Sequence, residues 1–437
     1  MRFREFLRAA VSATLTQDSR QELLLVRMSA CNAELDMQVG TIGMVRTHGG
    51  ATSLAVATLT VLENFCTPYS HQPAGAAGSK APSLDTGLMK HICSIVTWWY
   101  TDAASDELSA GEILVTSAAA KRLFPNLKII GREKAHASRR VLERPQKAEA
   151  FLDDVANQFR WGHQSIASVL QHMPTCHSVF KAVSQANDGA SAITSLRFKR
   201  HRFDSQAEPL ARMSMQFGAV VQAASKISHA RKSENAGKQA TAFLQWLDDE
   251  KALQMAMLAD AADQVLTLVR QHDTDFPDPA QYASFVSAFI LEGTRMWLED
   301  KCWAIGCTDI MMRFLAKSRT YLIAGGSGGA LTLGGHVDDA VKSRCIGRMK
   351  TWFRLAIAVC HAEFPYFEAS SSFQVFEVTD NPGRDAAEIA GDAVLAPLER
   401  LANIFGCERD VVYSQFQRHL ALARSEKQSS SQTNLSA

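Results

Sequence analysis

Ionisable residues follow two short apolar runs of the sequence, about thirty residues apart. The first run ends in Thr101-Asp102-Ala103-Ala104, and the second leads through Ile129 and Ile130 to Glu133 and His136. A buried strand that ends in a carboxylate places that carboxylate at the edge of a sheet, where nucleases of this construction hold a divalent metal. Asp102 is therefore the best single candidate for a catalytic residue and for a metal ligand.

Structural roles explain the same residues without chemistry. Asp102 can cap a turn, and Asp106 and Glu107 can complement the positive end of the helix that follows. His136 follows Glu133 at a spacing that puts both on one side of a helical turn, where the imidazole can order the junction.

Two basic clusters are candidates for phosphate contacts. Arg139 and Arg140 belong to the smaller cluster; the denser one contains Arg197, Lys199, Arg200 and Arg202. Arginine and lysine contact phosphates without reading sequence, but a solvated charged face explains such clusters more often.

Other motifs favour structure over chemistry. His172, Cys176 and His177 lie close together, but no second ligand pair at zinc-finger spacing accompanies them, so packing is the better explanation. The glycine run at 325–329 lacks the Gly-Lys-Ser/Thr ending of a phosphate-binding loop, so we expect a flexible loop there.

The pattern around Asp102 predicts a local α/β unit. Residues 89–100 indicate a helix that leads into a strand, a helix follows from 106 to 121, and 127–130 form a second short strand. Periodicity alone does not decide between strand and buried helix for 54–62. After Pro145 helical spacing of apolar residues continues for almost two hundred residues, and helices are also predicted over 337–361, 385–405 and 409–424.

Composition limits the classes of protein. The chain has 437 residues, 46% of them hydrophobic, which is enough for two or three packed units. Its 46 Lys and Arg balance 45 Asp and Glu, so any contact with nucleic acid must come from local patches. Nine scattered cysteines without a CxxC pair favour a reducing compartment, and no apolar run is long enough to predict a membrane span.

The sequence resembles the hAT-type DNA transposases and the derived transposase-like proteins that lack a complete site. Thr101-Asp102-Ala103-Ala104 is similar to the family's Thr-Asp-Asn-Ala-like motif, and Glu133-Lys134-Ala135-His136 stands where the family has Cys/Asp-x-x-His. Arg202-Phe203-Asp204-Ser205 loosely resembles its Arg-Trp-Asn-Ser segment. The resemblance implies a mixed RNase H-like sheet, α/β, interrupted by a large all-helical insertion and followed by C-terminal helices.

This resemblance divides the chain into four parts. Residues 1–145 are the first part of the RNase H-like core, 146–325 the helical insertion, 326–424 the rest of the core with its helices, and 425–437 a disordered tail. In the family two further carboxylates complete the site. Asp36 is the only stand-in for the first of them, and Glu292 or Glu299 for the last. No zinc-binding BED module is visible near the N-terminus.

Three functions follow from these observations. The one we favour is a transposase-derived, domesticated nucleic-acid-binding protein without catalysis, which needs no cofactor, is intracellular, and is nuclear if it binds DNA and otherwise cytoplasmic. The second is a helical protein-interaction scaffold with a purely structural α/β segment. The third is an active transposase or nuclease, which requires Mg²⁺ or Mn²⁺ and two more carboxylates near Asp102. The expected partners are DNA and a second copy of the chain, and no contact with a membrane is expected.

Overall fold

The structure is a computed structural model, and it describes most of the chain. The described residues are 2–20, 22–34, 36–67, 83–101, 105–116, 123–132, 134–161, 165–189, 192–196, 204–272, 279–324, 329–364, 371–376 and 392–433. They form two compact units. The first unit contains Met1–Ala137, His272–Phe285 and Glu363–Ala437, and the second contains Ser138–Gln271 and Val286–Ala362. The domain limits predicted at 146 and 325 stay predictions.

The first unit is built on a five-stranded mixed sheet. Its elements are α1 (Arg2–Ala9), β1 (Ala10–Arg20), β2 (Leu23–Asn32), β3 (Met37–Arg46), α2 (Ala51–Cys66), α3 (Thr86–Ile95), β4 (Val96–Thr101), α4 (Ser105–Thr116) and β5 (Ile129–Arg132). The strand order is β3-β2-β1-β4-β5. β2 pairs antiparallel with β1 and β3, whereas β1, β4 and β5 pair in parallel, so β2 alone runs against the others.

One face of this sheet is buried under α2. Alternate residues of the strands, such as Leu15, Val26 and Met28, point to that side and are almost inaccessible to solvent. The segment left undecided by periodicity, 54–62, lies in α2, where Leu54, Val61 and their neighbours at helical spacing are buried. Burial of these apolar side chains stabilises the unit by about 1.5–3 kcal/mol for each large residue.

The other face is covered over β4 by aromatic residues from the end of the chain. The Trp98 ring lies 5.6 Å from that of Phe373 and 6.4 Å from that of Phe405. Residues 371–376, which carry Phe373, form a helical turn. On the same strand the Tyr100 ring packs directly against Gly131. A Cβ at position 131 would lie 2.5 Å from this ring, so a larger residue does not fit there.

Two helices close the first unit. They are α16 (Asp392–Phe405) and α17 (Arg409–Thr433), which share a small apolar cluster that includes Leu398 and Phe416. Helix α17 continues nine residues beyond the end predicted at 424, through most of the segment expected to be a disordered tail. Polar residues therefore continue this helix past its packed part.

The second unit is helical, as the sequence predicts for this region. Its helices are α5 (Lys134–Ala148), α6 (Ala150–Ala156), α7 (Ile166–His172), α8 (Pro174–Asp188), α9 (Asp204–Met215), α10 (Phe217–Ala230), α11 (Asn235–Trp246), α12 (Asp249–His272), α13 (Pro279–Gly293), α14 (Gly306–Leu315) and α15 (Asp339–Glu363), some of which extend into the first unit at their ends. Short π-helical turns, Asn157–Trp161 and Thr294–Leu298, extend α6 and α13, and Lys301–Ala304 is a 3₁₀ turn.

A hairpin, β6 (Arg319–Leu322) and β7 (Ala330–Leu333), flanks the glycine run. The sequence predicts a flexible loop at 325–329, and 325–328 lie outside the described residues. Both strands were missed from the sequence because each has only four residues.

Helix α12 is the core of the second unit. It is long and apolar enough to cross a membrane by length and composition, but 83% of its apolar window is buried inside the protein. That burial is typical of the core helix of a globular unit.

Candidate functional site

The register between β1 and β4 brings a carboxylate that the sequence did not single out to the end of β4. Gln17 of β1 pairs with Thr101, the last residue of β4, and Asp18 is the next residue of β1. Because both strands run in the same direction, Asp18 lies at the edge of the sheet where β4 ends. The sequence places Asp102 directly after Thr101.

Buried polar contacts fix the strands at this edge. Gln17 is 1% exposed and its side-chain Oε1 accepts a hydrogen bond of 3.0 Å from the Thr58 hydroxyl of α2. Thr101 is fully buried. Since side chains alternate along a strand, Asp18 points to the face opposite Gln17, where it is partly exposed. Its carboxylate is therefore held at a defined position and can be reached from solvent.

Asp18 is a carboxylate of the kind that a hard divalent cation binds. Carboxylate oxygens are the ligands that Mg²⁺ and Mn²⁺ prefer, and neighbouring parallel strands are a rigid way to present two of them. Asp102 lies outside the described residues. Within the described part of the chain no group of three or more His, Cys, Asp or Glu side chains is placed to hold a metal.

The structure separates Asp36 from this edge. Asp36 lies in the turn between β2 and β3, where its backbone N–H donates to the Asn32 side chain over 2.8 Å. Asn32 pairs with Ala10, the first residue of β1, seven residues before Gln17. At about 3.3 Å per residue this turn is roughly 23 Å from the end of β4. A site at that end therefore does not include Asp36, whereas Asp18 lies there.

Glu292 and Glu299 lie in the second unit. Glu292 is exposed on α13 and its carboxylate is 3.5 Å from the guanidinium of Arg295, and Glu299 is exposed just after the π-helical turn.

Two other carboxylates, both in the first unit, are buried. Glu107 in the first turn of α4 is completely buried, and Glu363 at the end of α15 is 1% exposed. Both make contacts within the fold. The sequence interpretation of Glu107 as a simple complement to the helix end does not explain its burial, because a carboxylate is rarely buried without polar partners.

The remaining motif residues are only partly described. Glu133 lies outside the described residues, as does the side chain of His136, although α5 includes position 136. His177 binds the backbone carbonyl of Leu170 through Nδ1 at 3.2 Å, and Cys176 is buried, which agrees with a packing role for this group.

Of the two basic clusters, the smaller one lies within the described residues. Arg139 lies on α5 and its Nε donates to the Glu143 carboxylate at 2.6 Å, so its charge is already balanced. Arg140 is half-buried on the same helix and has contacts of its own. Arg197, Lys199, Arg200 and Arg202 lie outside the described residues.

Glu143 also affects a second arginine that the sequence did not single out. Burial lowers the pKa of the Arg160 guanidinium to about 9, with Glu143 opposing that shift and Arg139 adding to it. At neutral pH Arg160 is still charged, inside the second unit. Arg139 and Glu143, both half-buried, therefore belong to a charge network that includes the buried Arg160, and nucleic-acid binding by Arg139 and Arg140 stays a prediction.

Asp18 was not predicted as a site residue because the strand before it is not strongly apolar. β1 has Ala13, Leu15 and the polar Gln17 on its buried side, so it gives a weak apolar alternation. The available signal was in β2, where Leu24, Val26, Met28 and Ala30 alternate cleanly and require a neighbouring strand.

The sequence matches no protein-family model, and no curated protein matches it at a significant level. A function for this chain therefore has to be argued from its own residues and their arrangement.

Proposed function

We propose that the protein is a transposase-like protein with an RNase H-like core that acts on nucleic acid through a divalent metal held by Asp18 and Asp102. The observation that carries the proposal is the pairing of Gln17 with Thr101, which puts Asp18 beside the end of β4. The sequence favours a protein without catalysis, because the first of the two further carboxylates has only Asp36 as a stand-in and the last is undecided between Glu292 and Glu299. In this proposal Asp18 is the first of those two carboxylates.

The topology of the first unit supports an RNase H-like core. A five-stranded mixed sheet in which only the second strand is antiparallel is the arrangement that such a core requires, and β3-β2-β1-β4-β5 has it. A helical unit follows β5 in the chain, and the last helices return to the first unit. This is the order of parts that the resemblance to hAT-type transposases implies.

The chemistry of such a site is transfer of a phosphodiester. Carboxylates on neighbouring strands would hold Mg²⁺ or Mn²⁺, which activates a water or hydroxyl and stabilises the charge that develops on the phosphate oxygens. In this protein the Thr58–Gln17 hydrogen bond fixes the end of β1 against α2, and the pairing of Gln17 with Thr101 sets the register between β1 and β4. Positioning of this kind is the contribution that a protein makes to a metal site.

The proposal is tested by assaying cleavage of labelled duplex and single-stranded DNA with Mn²⁺ and with EDTA. We expect metal-dependent cleavage that falls at least 100-fold, by an order-of-magnitude estimate, in Asp18→Asn, because a bound metal contributes several kcal/mol to such a reaction. Asp102→Asn should have the same effect.

Asp36→Asn is the matched control. It removes the same charge from the opposite end of the sheet and should cleave like the wild type. Equal cleavage by the Asp18→Asn protein would contradict the proposal. Binding of DNA without cleavage by the wild type would instead support the domesticated form, and no binding at all would favour the scaffold.

A further inference from the structure

We infer that the groove between α10 and β6 in the second unit binds an extended acidic peptide, which adds a strand to β6. We call it the hairpin groove. It consists of two adjoining cavities of about 780 Å³ each, which share Gln222 of α10 and Thr320 and Tyr321 of β6. One cavity reaches Gln216, just before α10, and the other reaches Ala230, the last residue of α10. The inference is independent of the proposed function.

Hydrogen bonding within the hairpin leaves one edge of β6 unpaired. The Ile323 backbone N–H donates to the Gly329 carbonyl at 2.9 Å, so Ile323 faces β7. Partners alternate along an antiparallel pair, which turns the backbone groups of Thr320 and Leu322 to the other side. The Leu322 carbonyl agrees with this direction, because it accepts a hydrogen bond of 2.7 Å from the Ser225 hydroxyl of α10. Within the described part of the chain, the N–H groups of Thr320 and Leu322 have no partner.

An unpaired strand edge beside a groove is suited to binding main chain. Unpaired N–H and C=O groups are a template for a further strand, and peptides bind to such edges through main-chain hydrogen bonds. The 14 residues of α10 make a helix about 21 Å long. About six residues of extended chain have the same length. We therefore expect a hexapeptide to fill the hairpin groove.

Side-chain amides of the opposite wall suit the second edge of such a peptide. Gln222 lines both cavities, and Gln216 lines one of them. Gln216 is 7% exposed, and its Oε1 has no hydrogen-bond partner among the described residues. A side-chain amide has a donor and an acceptor, as a peptide group does, so it can bond to main chain. A peptide N–H beside Gln216 supplies the donor that its buried oxygen lacks.

The charges of the groove favour an acidic peptide. Lys226 is exposed on α10, and no carboxylate of the described residues pairs with it. Arg319 donates to the backbone carbonyls of Phe314 at 2.5 Å and Lys317 at 3.1 Å, which leaves its positive charge unbalanced by these partners. Asp188 is the acidic residue of the lining, and it already has a contact within the fold. A carboxylate of the peptide therefore has Lys226 as its partner.

Exposed apolar side chains lie in both cavities. Leu322 is 64% exposed in one cavity, and Met215 is 55% exposed in the other. Successive side chains of an extended chain point to opposite sides. A peptide that alternates apolar and acidic residues therefore supplies contacts for the apolar side chains as well as for Lys226.

The test is binding of a fluorescein-labelled hexapeptide of alternating valine and glutamate, followed by fluorescence anisotropy. Main-chain bonds give an added strand its affinity, so a simple sequence is a sufficient probe. We expect Lys226→Glu to weaken binding about five- to tenfold, because it replaces an attraction by a repulsion. Thr320→Pro removes an unpaired N–H that an edge strand can lose, and should weaken binding by about the same factor.

Two N-methylated forms of the peptide test the main-chain bonds on the unchanged protein. Each form carries methyl groups on alternate amides, and together the two forms cover all of the amides. At least one form should bind at least about tenfold more weakly, since it cannot complete the hydrogen bonds to β6.

Lys238→Glu is the matched control, because Lys238 is exposed on α11 and lies outside the lining of the hairpin groove. It should bind the peptide like the wild type. The inference is overturned by absence of binding to the wild type, by equal weakening in Lys226→Glu and Lys238→Glu, or by full binding of both N-methylated peptides. An oligo(dT) single strand that displaces the labelled peptide as readily as unlabelled peptide does would also overturn it, because the groove would then attract anions in general.

Discussion

Glu250 stabilises the second unit through ionic hydrogen bonds to two arginines. Its carboxylate accepts hydrogen bonds from Arg344 Nη2 at 2.6 Å and Arg348 Nη1 at 2.6 Å, which joins the start of α12 to α15. The carboxylate is 17% exposed, so solvent screens these bonds less than at the surface. The Arg344 hydrogen bond, with help from Arg348, lowers the pKa of Glu250.

Glu250→Gln should destabilise the protein by about 1–3 kcal/mol near pH 7, the usual range for hydrogen bonds to a charged group. A glutamate whose pKa is lowered by folding stabilises the native state above its ordinary pKa of 4.5 and loses that contribution as the pH falls through the folded pKa. The difference between wild type and variant, measured by urea unfolding, should therefore shrink below pH 4.5.

The control for this residue is Glu234→Gln. Glu234 forms an ion pair with Arg231 at 2.6 Å but is 54% exposed, and such surface pairs contribute only about 0.2–1 kcal/mol. A loss of stability as large as that of Glu250→Gln would contradict the role assigned to burial.

At the scale of elements, the beginning of α14 depends on a side chain from α12. Asp260 accepts hydrogen bonds from the backbone N–H of Cys307 at 2.6 Å and of Thr308 at 2.8 Å, and from the Thr308 hydroxyl at 2.6 Å. These are the first amides of a helix, which have no partner inside it. The preceding Gly306 has a φ of +59°, so the chain enters α14 through a conformation that favours glycine.

Asp260→Ala should destabilise the protein by about 2–4 kcal/mol, because three buried donors lose their acceptor. Asp263→Ala, on the exposed side of the same helix, should change stability by less than about 0.5 kcal/mol. Urea unfolding of both proteins measures the difference. Equal stabilities would show that α14 does not need this contact.

Asp260 also gives the opposite pH dependence to Glu250. Burial raises its pKa in spite of the hydrogen bonds, so its contribution to stability is greatest below the ordinary value of 3.8 and falls as the pH rises through the folded pKa. Removing its charge with Asp260→Asn should therefore remove that part of the pH dependence.

How far the elements could be predicted depends on how apolar their buried sides are. β4 begins at Val96 and β5 ends at Arg132, close to the predicted strands, because apolar runs mark them. β1 was missed because the polar Gln17 occupies a buried position that only its hydrogen bond to Thr58 explains. Register between strands is set by tertiary contacts, so the approach of Asp18 to Thr101 could not be read from spacing.

At the scale of the whole molecule, net charge is close to zero, so the location of individual charged residues matters more than their total. A net charge of +1 gives no general attraction for nucleic acid, so any binding has to come from local groups of residues. Location also distinguishes the carboxylates at the two ends of the sheet. Asp18 and the end of β4 share one end, and Asp36 lies at the other, although all three belong to one compact unit.

Binding of Mn²⁺, followed by electron paramagnetic resonance as the ion is titrated into the protein without DNA, tests the central claim most directly. The account predicts that the wild type and Asp36→Asn bind Mn²⁺ equally, and that Asp18→Asn and Asp102→Asn bind it at least about tenfold more weakly, since even outer contacts of a metal site contribute that much. Equal binding by wild type and Asp18→Asn would contradict it.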